Sequence, residues 1–106
     1  MSIQFKKGVL EMCVLMLLCK EDLYSYELVK SLDKYIKTAD GTLYPLLRRL
    51  TSDGYLTTYL VESSEGPARK YFRLTEEGRI IAKSLKEEWL DFCSKINLFI
   101  EEIDKN

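Results

Sequence analysis

Histidine is absent from this chain of 106 residues. Its absence removes the commonest metal ligand and the commonest general base near neutral pH. Cysteine is scarce, and Cys13, Cys19 and Cys93 form no Cys-x-x-Cys pair. An odd set of thiols in apolar surroundings predicts reduced, buried side chains and a reducing compartment. There is no Gly-rich phosphate loop and no cysteine–base pair, so no catalytic constellation is visible, and neither a metal nor a cofactor is expected. A cysteine-only metal sensor would need ligands from two chains. No apolar run reaches the ~18–20 residues that cross a bilayer. The longest, Val9 to Cys19, is interrupted by Glu11 and follows Lys6 and Lys7, as a leader peptide would. No small-residue cleavage site comes after it. It is read as a buried helix of a cytoplasmic protein without a membrane partner.

What is present suits a single soluble domain. Apolar residues make up 46% and charged residues 31%, a balance that separates the chain from disordered sequences. So short a chain buries a modest core, which makes association with a second copy a natural source of further burial. Net charge is −1, which by itself argues against a nucleic-acid partner, but the charge is unevenly spread. Residues 30–75 carry 8 basic and 5 acidic groups, whereas residues 76–106 carry 5 basic and 8 acidic. A local basic face is enough to meet phosphates.

The periodicity gives an order of elements. Val9 to Cys19 is apolar on all sides except at Glu11, so a helix there needs cover on two sides, one of them from a distant segment or another chain. After a short polar connection from Glu21 to Tyr24, Ser25 can cap a second helix to about Ile36, with Leu28, Val29, Leu32 and Ile36 as its stripe. A third helix follows in the segment around Leu43, Leu47 and Leu50. Asp40 or Thr42 would cap it, Pro45 would lie in or near its first turn, and Gly54 would end it. Tyr44, Pro45 and Arg48 share the face opposite its leucines, with Thr42 and Arg49 on the flank. The period then changes to two. Leu56 to Glu62 and Arg69 to Leu74 read as strands joined by a Ser63–Pro67 tip. Thr75 caps a long last helix, where Leu85, Trp89, Phe92, Ile96, Phe99 and Ile103 are spaced as a heptad seam.

Helix, turn, helix and a two-stranded wing define a winged helix-turn-helix, here mainly α (α+β) with a long C-terminal dimerisation helix. The expected division is residues 1–75 for the winged domain, whose first 20 residues also serve the dimer interface, and 76–106 for the dimerisation helix. Tyr44 and Arg48 on the third helix could reach base edges or phosphates, and Arg69 and Lys70 on the wing could reach the flanking backbone. The same pattern also suits a protein-interaction module whose third helix touches protein instead of DNA.

Two blocks carry a family resemblance: Gly41-Thr42-Leu43-Tyr44-Pro45-Leu46-Leu47-Arg48-Arg49-Leu50, and Gly66-Pro67-Ala68-Arg69-Lys70-Tyr71-Phe72-Arg73-Leu74-Thr75-Glu76-Glu77-Gly78. With Gly54 and Tyr24-Ser25-Tyr26-Glu27, they strongly resemble the PadR-type transcriptional regulators. Ser25 departs from the glycine usual there. The resemblance implies a homodimeric repressor on a pseudo-palindromic operator, relieved by a small molecule, and resembles the compact subgroup with one C-terminal helix. It implies DNA contacts at Tyr26, Thr42, Tyr44, Pro45, Arg48, Arg49, Arg69 and Lys70.

The seam and the first helix would cover each other across a two-fold axis. Met12, Cys13, Met16, Leu85, Trp89, Phe92, Cys93 and Ile96 are the candidate interface and effector-contact residues. In some compact relatives a tryptophan at the place of Trp89 flanks a drug-binding cavity, which implies a small aromatic or flat amphipathic effector; the other reading of Trp89 is packing alone. Cys93 lies between Asp91 and Lys95. An oxidation switch needs an exposed thiol of low pKa, and structural thiols are the expectation.

Overall fold

The computed structural model describes residues 3–38 and 40–105. Its elements are α1 (Ile3–Lys20), β1 (Leu23–Tyr24), α2 (Ser25–Asp33), α3 (Asp40–Ser52), β2 (Leu56–Ser63), β3 (Gly66–Leu74) and α4 (Glu76–Asp104). Leu10, Val14 and Leu18 of α1 follow each other at four-residue steps, with Leu15 beside them. They meet Leu28 and Leu32 of α2, the leucines of α3, and Leu56, Phe72 and Leu74 of the sheet in one core. Leu and Phe side chains buried this fully each contribute ~1.5–3 kcal/mol.

α2 is shorter than its apolar stripe predicts. Tyr35 and Ile36 both donate to the Leu32 carbonyl, and the Thr38 amide donates to Asp33 Oδ1 at 3.3 Å. These bonds fold the chain over after Asp33, and Ile36 packs on the core from the turn. The helix start also differs: Tyr24 holds the cap position, and Glu27 Oε1 accepts from its amide at 3.2 Å. Ser25 is therefore the first helical residue.

α3 begins at Asp40, so Thr42 lies within the helix and does not cap it; the capping expected of Asp40 falls on a side chain outside the described set. Pro45 is in the second turn, where it removes one hydrogen bond, that to the Gly41 carbonyl. Leu43, Leu46, Leu47 and Leu50 are buried. The helix ends as the glycine predicts. Gly54 has φ 85°, its amide bonds Thr51, and the Tyr55 amide bonds Leu50, the two bonds of a Schellman ending.

The wing belongs to a three-stranded antiparallel sheet of order β1-β3-β2, not a two-stranded one. β1 pairs Leu23 with Phe72 and Tyr24 with Tyr71. Two residues inside a polar connection carry too little pattern to read as a strand. The tip is also tighter than expected. Ser63 pairs with Gly66, an irregularity separates Val61 from Ser63, and Pro67 lies inside β3. Proline fits there because, among the described residues, β1 reaches only Tyr71 and Phe72, so β3 is an edge at Pro67.

α4 starts as expected, with Thr75 Oγ1 accepting from the Gly78 amide at 3.0 Å. Ala82 is buried and Ile81 and Leu85 pack on the core. Farther along, Phe92 is 50% exposed, Ile96 40% and Phe99 61%. The seam thus continues past the chain's own core, which gives the molecule its long dimension of 63 Å against 27 and 20 Å.

Candidate nucleic-acid interface

The outward face of α3 and the inner face of the wing enclose a cleft of about 260 Å³. Tyr44, Arg48, Thr51 and Ser52 line it from the helix, and Thr58, Lys70 and Phe72 from the sheet. Thr51 bends inward, its hydroxyl donating to the Leu47 carbonyl at 2.8 Å. Tyr44 also borders a second cleft of about 560 Å³ between α2 and α3, together with Ser25, Tyr26 and Val29. Tyr44 is 51% exposed and Tyr26 59%. Lys30, one turn after Tyr26, holds its ammonium 5.5 Å from that ring. Tyr26, Tyr44, Arg48 and Lys70 therefore share one surface, and Thr42 and Pro45 are exposed on the same helix.

Two expected residues are set apart from this group. Arg49 Nη2 lies 3.2 Å from Glu11 Oε2, so its guanidinium is directed at α1. Arg69 lies on the opposite sheet face from Lys70, as the two-residue period of a strand requires, and its guanidinium sits 4.9 Å over the Tyr24 ring. That outer face carries a ladder missed in the sequence. Tyr59 stacks on Tyr71 at 5.6 Å, and Tyr71 leans on Tyr24 at 5.4 Å. Asp22 Oδ2 accepts from Tyr59 Oη at 2.7 Å and from Arg73 Nε at 3.1 Å. The hydrogen bond to Asp22 raises the Tyr59 phenol above its ordinary pKa, with Arg73 pulling the other way. Register alone could have grouped Tyr59, Tyr71 and Arg73, but Asp22 and Tyr24 join them through β1.

A separate groove of about 210 Å³ runs between α1 and α4, lined by Gly8, Val9, Met12, Leu85, Glu88, Trp89 and Phe92. The Trp89 and Phe92 rings are 6.4 Å apart and tilted by 43°. Met12, Leu85, Trp89 and Phe92 thus meet, joined by a carboxylate, Glu88, that apolar spacing did not single out. Met16 lies instead in a neighbouring cleft with Cys19, Arg79 and Lys83. Cys13 packs against the core, where burial pushes its thiol pKa up, opposite to the demand of an oxidation switch. Cys93 is half-buried beyond the groove, and Ile96 continues the open seam.

The sequence model of the PadR-like transcriptional regulator family matches residues 14–84. A PadR-like transcription factor of Bacteroides fragilis is 38% identical, with 91% of this chain and 94% of that one covered and a TM-score of 0.78. A Streptococcus transcriptional regulator is 37% identical, with 99% and 100% covered and a TM-score of 0.81. A PadR family regulator of Eggerthella lenta is 37% identical, with 93% and 88% covered and a TM-score of 0.83. An uncharacterized protein of Lysinibacillus sphaericus is 28% identical over 102 residues, 92% of this chain and 94% of that one. The chain belongs to the PadR-like family of transcriptional regulators, which are not enzymes. Among the described residues, no helix is long and apolar enough to cross a membrane.

Proposed function

We propose that the protein is a homodimeric, sequence-specific repressor that binds double-stranded operator DNA in the cytoplasm. The observation that carries this reading is the cleft lined by Tyr44 and Arg48 of α3 on one side and by Lys70 of the wing on the other. A helix face with a planar guanidinium suits the major groove, and an ammonium on the wing suits the adjoining phosphates. Tyr26, Thr42 and Pro45 adjoin that surface. Arg69 reaches only the outer side of the wing, and Arg49 takes part after leaving Glu11. Residues 1–75 form the DNA-binding unit and 76–106 the dimerisation helix. The open seam of Phe92, Ile96 and Phe99 supports a second copy as its cover, with Met12, Cys13 and Met16 of α1 alongside.

The groove beside Trp89 supports relief of repression by a small aromatic or amphipathic effector, bound where two such grooves meet at the dimer axis. Cys93 and Ile96 extend its wall toward the partner. The test is a gel shift on duplexes captured from the source genome, repeated across a salt series. Binding whose logarithm falls linearly with the logarithm of salt is expected. Failure to retain any duplex would favour the protein-interaction module instead.

A further inference from the structure

The hairpin of β2 and β3 stands out from the core, and its angle decides what Lys70 faces. Among the described residues, β1 meets it at Tyr71 and Phe72 alone, so the hairpin is held at its base. From inside, Leu56, Phe72 and Leu74 anchor it to the core. From outside, Tyr24 lies against Tyr71 and under Arg69, and one carboxylate oxygen adds a polar tie to both strands, because Asp22 Oδ2 takes a hydrogen bond from Tyr59 on β2 and another from Arg73 on β3. The Arg73 guanidinium also lies 4.8 Å over the Tyr59 ring. Asp22 immediately precedes β1 in the α1–α2 connection, so this oxygen ties both wing strands to the helix-turn-helix.

We propose that Asp22 is a positioning residue for the wing, holding Lys70 at the angle at which it faces Arg48 across the cleft. The inference rests on the operator-binding reading above. Two consequences of removing Asp22 have opposite signs. Loss of a negative charge by itself draws phosphates closer and strengthens binding. Loss of the tie lets the hairpin swing, so that Lys70 spends less time on its phosphate and binding weakens.

The experiment measures binding of the full-length protein to a fluorescein-labelled operator duplex across a salt series. The proteins are wild type, Asp22→Ala, Asp22→Asn, Lys70→Ala and the double variant Asp22→Ala/Lys70→Ala. Asp22→Ala is expected to weaken binding about tenfold, as loss of hydrogen bonds to a charged group implies, and to flatten the salt slope by up to about one. Asp22→Asn keeps an acceptor for Tyr59 and should recover part of the loss. The double variant should match Lys70→Ala within about twofold, because both substitutions remove one contact. A residue that merely stabilises the fold would lower the melting temperature and leave the slope intact. Tighter binding by Asp22→Ala, an unchanged slope, or losses that add to those of Lys70→Ala would overturn the proposal while leaving operator binding in place. A wild-type protein without salt-dependent binding to any duplex would overturn both. Should Asp22→Ala fail to fold, Tyr59→Phe removes one of the two donors and is expected to weaken binding about threefold with a flatter slope; wild-type binding by that variant overturns the proposal equally.

Discussion

The Arg49 guanidinium is paired with the Glu11 carboxylate at 3.2 Å, joining the third helix to the first. Its neighbour Arg48 is turned one helical step away, into the cleft beside the wing. Adjacent arginines of the same charge and length thus have different occupations, and substitution should separate them.

Arg48→Ala is expected to weaken operator binding by ~1–3 kcal/mol and to relax preference at one base position, as loss of a base-edge contact does. Arg49→Ala removes a partly exposed ion pair worth ~0.2–1 kcal/mol of stability and should leave base preference intact. Competition binding with single-base operator variants, alongside thermal melting, checks both outcomes. Equal loss of preference in the two variants would contradict the division.

Lys70 and Arg69 are neighbours in sequence on opposite faces of β3. Lys70→Ala should weaken binding to all duplexes alike and lower the salt slope by about one. Arg69→Ala should change that slope less, since its charge is spread over the outer face beside Tyr24. Fluorescence anisotropy at four or five salt concentrations gives the slopes, and a larger effect for Arg69 would reverse the assignment of faces.

Phe92 is half-exposed, so Phe92→Asp spares the winged domain while placing an unpaired carboxylate in a seam that a partner would bury. Association should weaken by several kcal/mol. Sedimentation at micromolar concentration is expected to give a dimer for wild type and a folded monomer for the variant. A monomeric, well-folded wild type would refute the dimer.

The chain's single tryptophan reports on the α1–α4 groove. Planar cationic dyes and phenolic acids should quench Trp89 emission, with the cations favoured by Glu88 at the groove wall. Stacking on an indole adds roughly 0.5–1.5 kcal/mol beyond area burial, so Trp89→Ala should bind such dyes several-fold more weakly. Equal affinity in the two proteins, measured by dye fluorescence, would place the ligand elsewhere. An effector that relieves repression must also bind the free dimer more tightly than the DNA-bound dimer, by the same factor.

Gly78 lies where a Cβ would collide with the Tyr55 carbonyl oxygen and come within 2.7 Å of Leu74 Cδ1. Gly78→Ala should therefore cost about 1–3 kcal/mol through overpacking. Thermal denaturation should show a melting point lower by several degrees, and an unchanged one would mean that α4 can shift freely at its start.

The helices were legible wherever a leucine or aromatic stripe was backed by a terminal signal. Thr75 and Gly54 act as their residue types predict, and α3 buries the four leucines that its spacing selects. The apolar stripe runs longer than α2 because Ile36 keeps the helical phase from within a turn. β1 is not legible because two residues hold no period, and its existence depends on β3, some fifty positions later. Strand alternation does put Arg69 and Lys70 on opposite faces, yet their place beside each other in a basic block invited treating them as a pair. The Glu11–Arg49 and Asp22–Tyr59–Arg73 contacts join segments with no shared local pattern, so they became visible only when the chain was folded.

Thr75 separates β3 from α4 by a single residue, and that residue is secured on every side. Its amide bonds the Tyr55 carbonyl, its hydroxyl donates to Gly54 and accepts from Gly78, and its carbonyl accepts from Arg79. Wing, end of the third helix and long shaft therefore meet at one residue, and beyond it Ile81, Ala82 and Leu85 seat the first half of α4 on the core. A helix of 29 residues is roughly 43 Å long, so a tilt of about 5° carries its far end by roughly 4 Å. One glycine inserted after Leu74 is expected to loosen that connection between wing and α4.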